Sequence, residues 1–549
     1  MNSRVLQIDS RDNVFVALAN LKSGEVVGCD GKSITLLSDV PAKHKLATKS
    51  FEPGDRVVMY GVTVGTAVKP IAAGEVVTTT NIRHQASPFH QQEKDFYWSA
   101  PDVSKWKNRT FLGYARPDGQ VGTRNYWLVV PLVFCENKNI QVLKQAFEEE
   151  LGFAAPQLYR QQVAEMAKLY REGKLNQLGA DLPAGNGSRA AKVRLFENVD
   201  GIRFLLHEGG CGGTHEDSRN LCGLIAGYIH HPNVAGATVL SLGCQHAQIR
   251  ILQEEIGKRT ARLNKPLFIF EQQQSGSEAA MMSEAIRKTF FGLAEANKAQ
   301  RTPAPLSKIC VGLKCGGSDG FSGISANPAI GHTSDLLAAL GGRTILSEFP
   351  ELCGVEQNLI DRGKRKEVGD RFIRIMNDYA ARAAAVRATF EMNPSPGNVR
   401  DGLLTDAMKS AGAAKKGGTS PVTAVLDYPE YSTEAGLNLQ CTPGNDVECV
   451  TAQVGAGASV VLFTTGLGTP TGNPIAPVVK LSTNSALANK MHDIIDVDTG
   501  LIVEGQSTIE KMGETILDYV IDVASGRVHT KAEEKAQEDF IPWKRGVSL

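Results

Sequence analysis

Three observations predict an α/β protein preceded by a small all-β module. From about residue 126 short apolar runs alternate with helical patterns, the signature of mainly parallel strands layered with helices. The N-terminal region carries a turn-and-strand echo: LKSGEVV at 21–27, FEPGDRVV at 51–58 and IAAGEVV at 71–77. The chain has 549 residues, whereas a single core stops growing near ~250–300, so several domains are required.

In the echo, Gly24, Gly54 and Gly74 each precede an acidic residue and β-branched residues, as in a tight turn feeding a strand. This assigns 1–95 to the β module. Residues 96–108 close a polar, aromatic-spotted stretch without periodicity and read as a linker lying over a surface. YWLVVPLVF at 126–134 reads as a strand buried on both faces, and NIQVLKQAFEEELG as the helix after it. A middle domain is expected over 109–255, carrying a charged helical insertion at about 150–200. Further strands fall at GIRFLLH, ATVLSLG, KPLFIFEQ, SKICVGLK, GRTILSEF, PVTAVLDY and SVVLFTTG, and the C-terminal domain is expected over 256–549.

Lys plus Arg is 59 and Asp plus Glu is 59. A net charge of zero supplies no field for a nucleic-acid backbone or an anionic membrane. No apolar stretch approaches the ~20 residues of a membrane span. Ten cysteines in so long a chain do not make a disulfide scaffold, and MNSRVLQIDSRDNVF lacks signal-peptide character. A cytoplasmic protein with reduced thiols is expected.

Glycine, at 55 residues, is in excess of ~7%, and part of the excess lies in polar turns after strands. These are HEGGCGGTHED, SLGCQHAQ, KCGGSDGFSGISANP, SEFPE, NPSPGN, TPGND and TTGLGTPTGNP. Such turns let backbone N–H groups converge on an anion, and their number points to one polar centre built from several strand ends. Neither GxGxxG spacing nor a GxxxxGK[ST] loop is present, which argues against nucleotide binding. Cys135, Cys211, Cys244 and Cys315 sit at or just past strand ends, where a thiolate could ligate a metal or attack a substrate. Cys29, Cys222, Cys310, Cys353, Cys441 and Cys449 read as small apolar fillers. His207, leaving its strand directly into the densest glycine turn, is the preferred acid/base or metal-binding histidine. Asp217, Asp319, Glu348, Glu351 and Asp446 are carboxylates able to hold a hard cation.

These motifs, in this order, resemble the altronate/galactarate dehydratases. The match runs through RDNVFVALANLKSGEVV and PAKHKLATKSFEPGDRVVMYG, then GQVGTRN, HEGGC and LGCQHAQ, then CGGSDGFSGISANP, SEFPE, NPSPGN, PGND and GLGTPTG. The resemblance implies an N-terminal SAF (β-clip) domain, a middle dehydratase domain and a C-terminal domain with a Rossmann-like parallel sheet. It implies a hydro-lyase that dehydrates D-altronate to 2-dehydro-3-deoxy-D-gluconate, the galactarate reaction being the alternative and a non-catalytic sugar-acid-binding protein a more distant one. It further implies ferrous iron, with manganese as substitute, and a homo-oligomer, expected to be a dimer. On this reading His207 and Cys211 are catalytic. Arg124, Asn125, Gly316, Gly317, Ser318, Asn398 and Asn445 bind substrate, and Cys315, Asp319 and Glu348 hold the metal. His44, in the SAF loop PAKHK, is a candidate cover for the site.

Overall fold

A computed structural model describes residues 4–29, 31–92, 96–154, 158–178 and 193–548. The expected architecture of a β module followed by α/β layers is present. The N-terminal module contains an antiparallel sheet of Val5–Leu6, Val14–Ala17, Lys45–Ala47 and Val76–Val77, a hairpin Val26–Cys29/Lys32–Thr35, and a three-stranded sheet Arg56–Met59, Val62–Ala67 and Ile82–Arg83. Val57, Val64 and Ile82 share one core with Val311, Leu404 and Met408 of the C-terminal domain, so burial fastens the module down. The stretch after it lies over that domain: Trp98 Nε1 donates to Thr419 Oγ1 at 3.1 Å, and the buried Trp106 donates from Nε1 to Asp518 at 2.7 Å.

The middle sheet is parallel, in the order Gly201–Phe204, Tyr126–Pro131, Val234–Ser241, Leu267–Glu271. Its last strand corrects the expected boundary at 255/256. Leu267–Glu271 pairs with Val234–Ser241 and the helix Glu278–Ala296 packs beside both, so the middle domain extends to about residue 297. Leu158–Arg171 of the expected insertion is helical, while 155–157 and 179–192 lie outside the described residues. Thr302–Pro305 then pairs antiparallel with Thr110–Ala115 and leads into the next domain.

Seven parallel strands form the C-terminal sheet, in the order Val422–Leu426, Gly436–Gln440, Arg343–Leu346, Cys310–Cys315, Val460–Thr465, Val478–Ser482, Val497–Asp498. The chain enters at Cys310–Cys315, completes one side with Arg343–Leu346, Val422–Leu426 and the inserted Gly436–Gln440, and then builds the other side from Val460–Thr465 outward. The order therefore reverses between that strand and Val460–Thr465, and the crevice beyond their carboxyl ends is where such sheets hold ligands.

Candidate functional site

At that crevice five of the seven polar turns converge, four of them bearing glycine. Gly466 N–H bonds Gly317 O at 3.0 Å, Asn398 Nδ2 bonds Ser318 O at 2.7 Å, and Lys314 Nζ bonds Gly444 O at 3.1 Å. Glu348 N–H reaches Thr442 Oγ1 at 2.9 Å. The approach is close enough that a Cβ on Gly316 would meet the Asp446 carboxylate at 2.5 Å. The other two turns, HEGGCGG and LGCQHAQ, belong to the middle sheet.

Buried at the centre are Cys315, Glu348 and Glu351. Cys315 Sγ lies 3.8 Å from Glu348 Oε2 and 3.4 Å from Glu351 Oε2. Lys416 Nζ sits between them, 2.6 Å from the sulfur and 2.7 Å from Glu348 Oε2. Lys314 binds the other oxygen of Glu348 and also Asp446 Oδ1 at 2.9 Å, and Lys409 pairs with Glu351 at 2.9 Å. Glu348 adopts a left-handed backbone, φ +69° and ψ 58°, unusual for a residue with a Cβ and typical of strain retained at functional sites.

Electrostatics follow from this packing. Burial, then the adjoining Glu348, pushes the Cys315 thiol up to about 12, with Lys416 pulling the other way. Burial alone would raise Glu351, but the ammoniums of Lys409, Lys314 and Lys416 bring it below its ordinary value. Desolvation opposes the charge of Lys416, and Cys315, Glu348 and Glu351 overcome it, leaving the ammonium more firmly protonated than usual.

The cluster therefore balances itself: three ammoniums against Glu348, Glu351 and Asp446. Thiol and carboxylates are a reasonable donor set for a borderline ion, but Lys416 already stands at the cation position, and a divalent ion would add uncompensated buried charge. Iron does not fit this cluster as it is arranged. Asp319, expected beside Cys315 and Glu348, belongs to a different network. Its carboxylate takes Lys43 Nζ at 3.0 Å, Thr483 Oγ1 at 3.0 Å and Ser322 Oγ at 3.1 Å. Lys43 comes from the β module and also pairs with Asp401 at 3.0 Å, while the adjacent His44 Nε2 meets Arg400 O at 3.0 Å.

Several expected substrate ligands have structural partners instead. Arg124 is buried and bidentate to Glu533, at 2.8 and 3.0 Å, and its remaining Nη1 donates to Thr123 O and Val523 O. Asn125 gives its amide to Asn198 O and Ala296 O and accepts from Arg116. Four of the five guanidinium N–H donors of Arg124 and both amide N–H donors of Asn125 are thus spent on protein acceptors. Asn445 caps the helix Asp446–Gly455, and Asn398 closes a capping box with Ser395 while supporting Ser318. Ser318 is different: its buried hydroxyl has no partner among the described residues.

His207 is not free to act as a base. Gly209 N–H donates to Nδ1 at 3.1 Å and Nε2 meets Pro131 O at 2.8 Å, which fixes the neutral tautomer carrying its proton on Nε2. Burial lowers its pKa to about 4. The ring pins its glycine turn to the neighbouring strand. Cys211 in that turn is exposed.

The sequence reading missed Lys314, Lys409, Lys416 and Lys43. Lys314 carried a signal, being the one charge inside the apolar run ICVGLKC. A cleft of about 800 Å³ opens elsewhere, between the middle and C-terminal domains, lined by Arg219, Arg259 and Arg343 with Glu255. Those arginines are already bonded to protein groups, and none of the residues above lines it.

Family models match three consecutive regions of the chain. "Altronate/galactarate dehydratase SAF domain" matches residues 3–85, "D-galactarate dehydratase/Altronate hydrolase, second domain" 113–297, and "D-galactarate/Altronate dehydratase, C-terminal" 306–548. The chain is 33% identical to an altronate dehydratase of Bacillus subtilis (strain 168) over 544 residues, 99% of each chain. It is 32% identical to an altronate dehydratase of Escherichia coli (strain K12), again over 99% of each. A galactarate dehydratase (L-threo-forming) of Escherichia coli (strain K12) is 29% identical over 96% of this chain and 94% of its own.

Proposed function

Since the chain belongs to the altronate/galactarate dehydratase family, a family of hydro-lyases, we propose that it dehydrates D-altronate to 2-dehydro-3-deoxy-D-gluconate, galactarate being the nearest competing substrate. A proton leaves C2, the electron pair moves toward the carboxylate, the C3–O bond breaks with loss of hydroxide, and the enol ketonises; proton and hydroxide together are the water released.

One observation carries the assignment of the site: the self-balanced cluster of Cys315, Glu348, Glu351 and three lysines at the switch point of the C-terminal sheet. A carbon acid beside an ionised carboxylate is weak because deprotonation adds a second negative charge to that carboxylate. Ammoniums held in a buried setting stabilise such developing charge far better than in water. The unpartnered Ser318 hydroxyl supplies a hydrogen bond for a substrate oxygen.

The ten cysteines are free, which accords with a reducing cytoplasmic setting, and a homodimer is part of the same reading. The test is a panel of aldonates and aldarates assayed with ferrous iron for 2-keto-3-deoxy product. Turnover of D-altronate well above galactarate is expected. Preference for galactarate would reassign the substrate, and no turnover of any sugar acid would remove the reading.

A further inference from the structure

We propose that Cys135, Cys211 and Cys244 hold an iron–sulfur cluster at the carboxyl edge of the middle sheet. Of the ten cysteines, these three are the exposed ones; the others are buried or half-buried. They follow three neighbouring parallel strands: Cys135 after Tyr126–Pro131, Cys211 after Gly201–Phe204 and Cys244 after Val234–Ser241.

The loops bearing them are bonded together. Phe134 N–H donates to Gly209 O at 3.1 Å, and Ala247 N–H donates to Gly210 O at 3.1 Å, so the Cys211 turn is tied to the other two. Gly210, at φ +101°, lies so close to the first loop that a Cβ would meet Leu132 O at 2.1 Å. Gly243, at φ +123°, precedes Cys244 in the same left-handed region. The His207 ring, bonded to Pro131 O and Gly209 N–H, locks the arrangement from beneath. The rings of His215 and His246 stand 6.2 Å apart over the same edge.

Three thiols on rigid, interlocked loops at one sheet edge suit a cluster better than a single ion. In a four-iron cluster each thiolate binds a different iron, so the sulfurs ring the cluster and need not converge on one point. Three thiolates leave the fourth iron with an open position that can take an oxygen ligand. The same assignment gives iron a place in the molecule that the lysine-balanced cluster around Cys315 denies it. What the cluster does rests on the dehydratase reading; whether it assembles does not.

The test uses the full-length protein purified without oxygen and reconstituted with ferrous iron and sulfide. Iron, acid-labile sulfide and the electron paramagnetic resonance of the reduced protein are measured without substrate. About four iron and four sulfide per chain are expected, as in a [4Fe–4S] cluster. They should be lost in Cys135→Ser, Cys211→Ser and Cys244→Ser and kept in Cys29→Ser. Exposed Cys→Ser changes leave packing intact, and unchanged thermal melting of the apoproteins confirms folding. Iron without sulfide, no bound iron, or a cluster surviving the triple serine variant would overturn the proposal. A cluster present in a protein inactive on every sugar acid would sink the dehydratase reading alone.

Discussion

Lys416 stands where a metal ion was expected, and the chemistry of single residues around it can be checked one at a time. Glu348 is the common partner of Lys314 and Lys416, fully buried. Glu348→Gln would leave the buried Lys416 ammonium without its carboxylate and Lys314 with Asp446 alone, and removing one partner of a buried pair costs about 3–5 kcal/mol; denaturant unfolding should show a loss of that order. Cys315 offers a contrast with Cys211. Burial and Glu348 push the first thiol up to about 12, whereas the second is exposed. Iodoacetamide at neutral pH should label Cys211 in the folded apoprotein and leave Cys315 unmodified until the chain unfolds, as read by peptide mass spectrometry. Equal labelling of both in the native state would contradict the geometry.

Among the elements, the C-terminal turns are built so tightly that one methyl group decides their fit. Gly316→Ala would drive a Cβ against Asp446 and Phe463, each at 2.5 Å, and so disturb the Asp446–Lys314 pair. Turnover should drop sharply while the circular dichroism of the fold is retained. The strands that were legible in the sequence, such as Val460–Thr465 and Cys310–Cys315, are those whose apolar runs mark burial on both faces. Gly436–Gln440 and Val478–Ser482 escaped notice because GLNLQ and VVKLS carry buried polar groups. Asn438 and Gln440 bond backbone oxygens, and Lys480 lies 3.7 Å from the centre of the Phe463 ring. The candidate site was legible in part for the same reason. Glycine turns and strand-end residues announce themselves by position, and Cys315 and Glu348 were found that way. Lys409 and Lys416 lie on a helix and a following turn distant in sequence, and only the fold brings them to Glu351 and Glu348.

At the scale of the whole molecule the β module is a partner of the C-terminal domain and not a detached appendage. Lys43 reaches Asp319, and Lys45, fully buried, donates to Gly402 O at 2.6 Å. Burial lowers the Lys45 pKa to about 7 against the opposing pull of Asp319, from an ordinary 10.5. Between pH about 7 and 10.5 the unfolded chain binds a proton that the folded chain does not, so stability rises with pH across that window, and the penalty is fully present below it. Lys45→Met should flatten that rise in urea unfolding measured over a pH series. Lys480, lowered likewise to about 7, keeps its own share. Because Val57, Val64 and Ile82 share a core with the C-terminal domain, deleting residues 1–95 should expose apolar surface and lower solubility, which makes Lys43→Met the cleaner probe of what the module does for the site. Its effect should appear in turnover and also as a lower melting temperature, because the buried Asp319 carboxylate loses its ammonium.

The most direct measurement of the central claim is the rate of D-altronate dehydration by Lys416→Met. This change removes the ammonium that touches both Cys315 and Glu348 while Lys314 still pairs with the carboxylate. With folding confirmed, kcat/KM should fall by about 10²–10³-fold, the size associated with losing a preorganised electrostatic group. A rate indistinguishable from that of the unsubstituted protein would contradict the placement of catalysis at the C-terminal cluster.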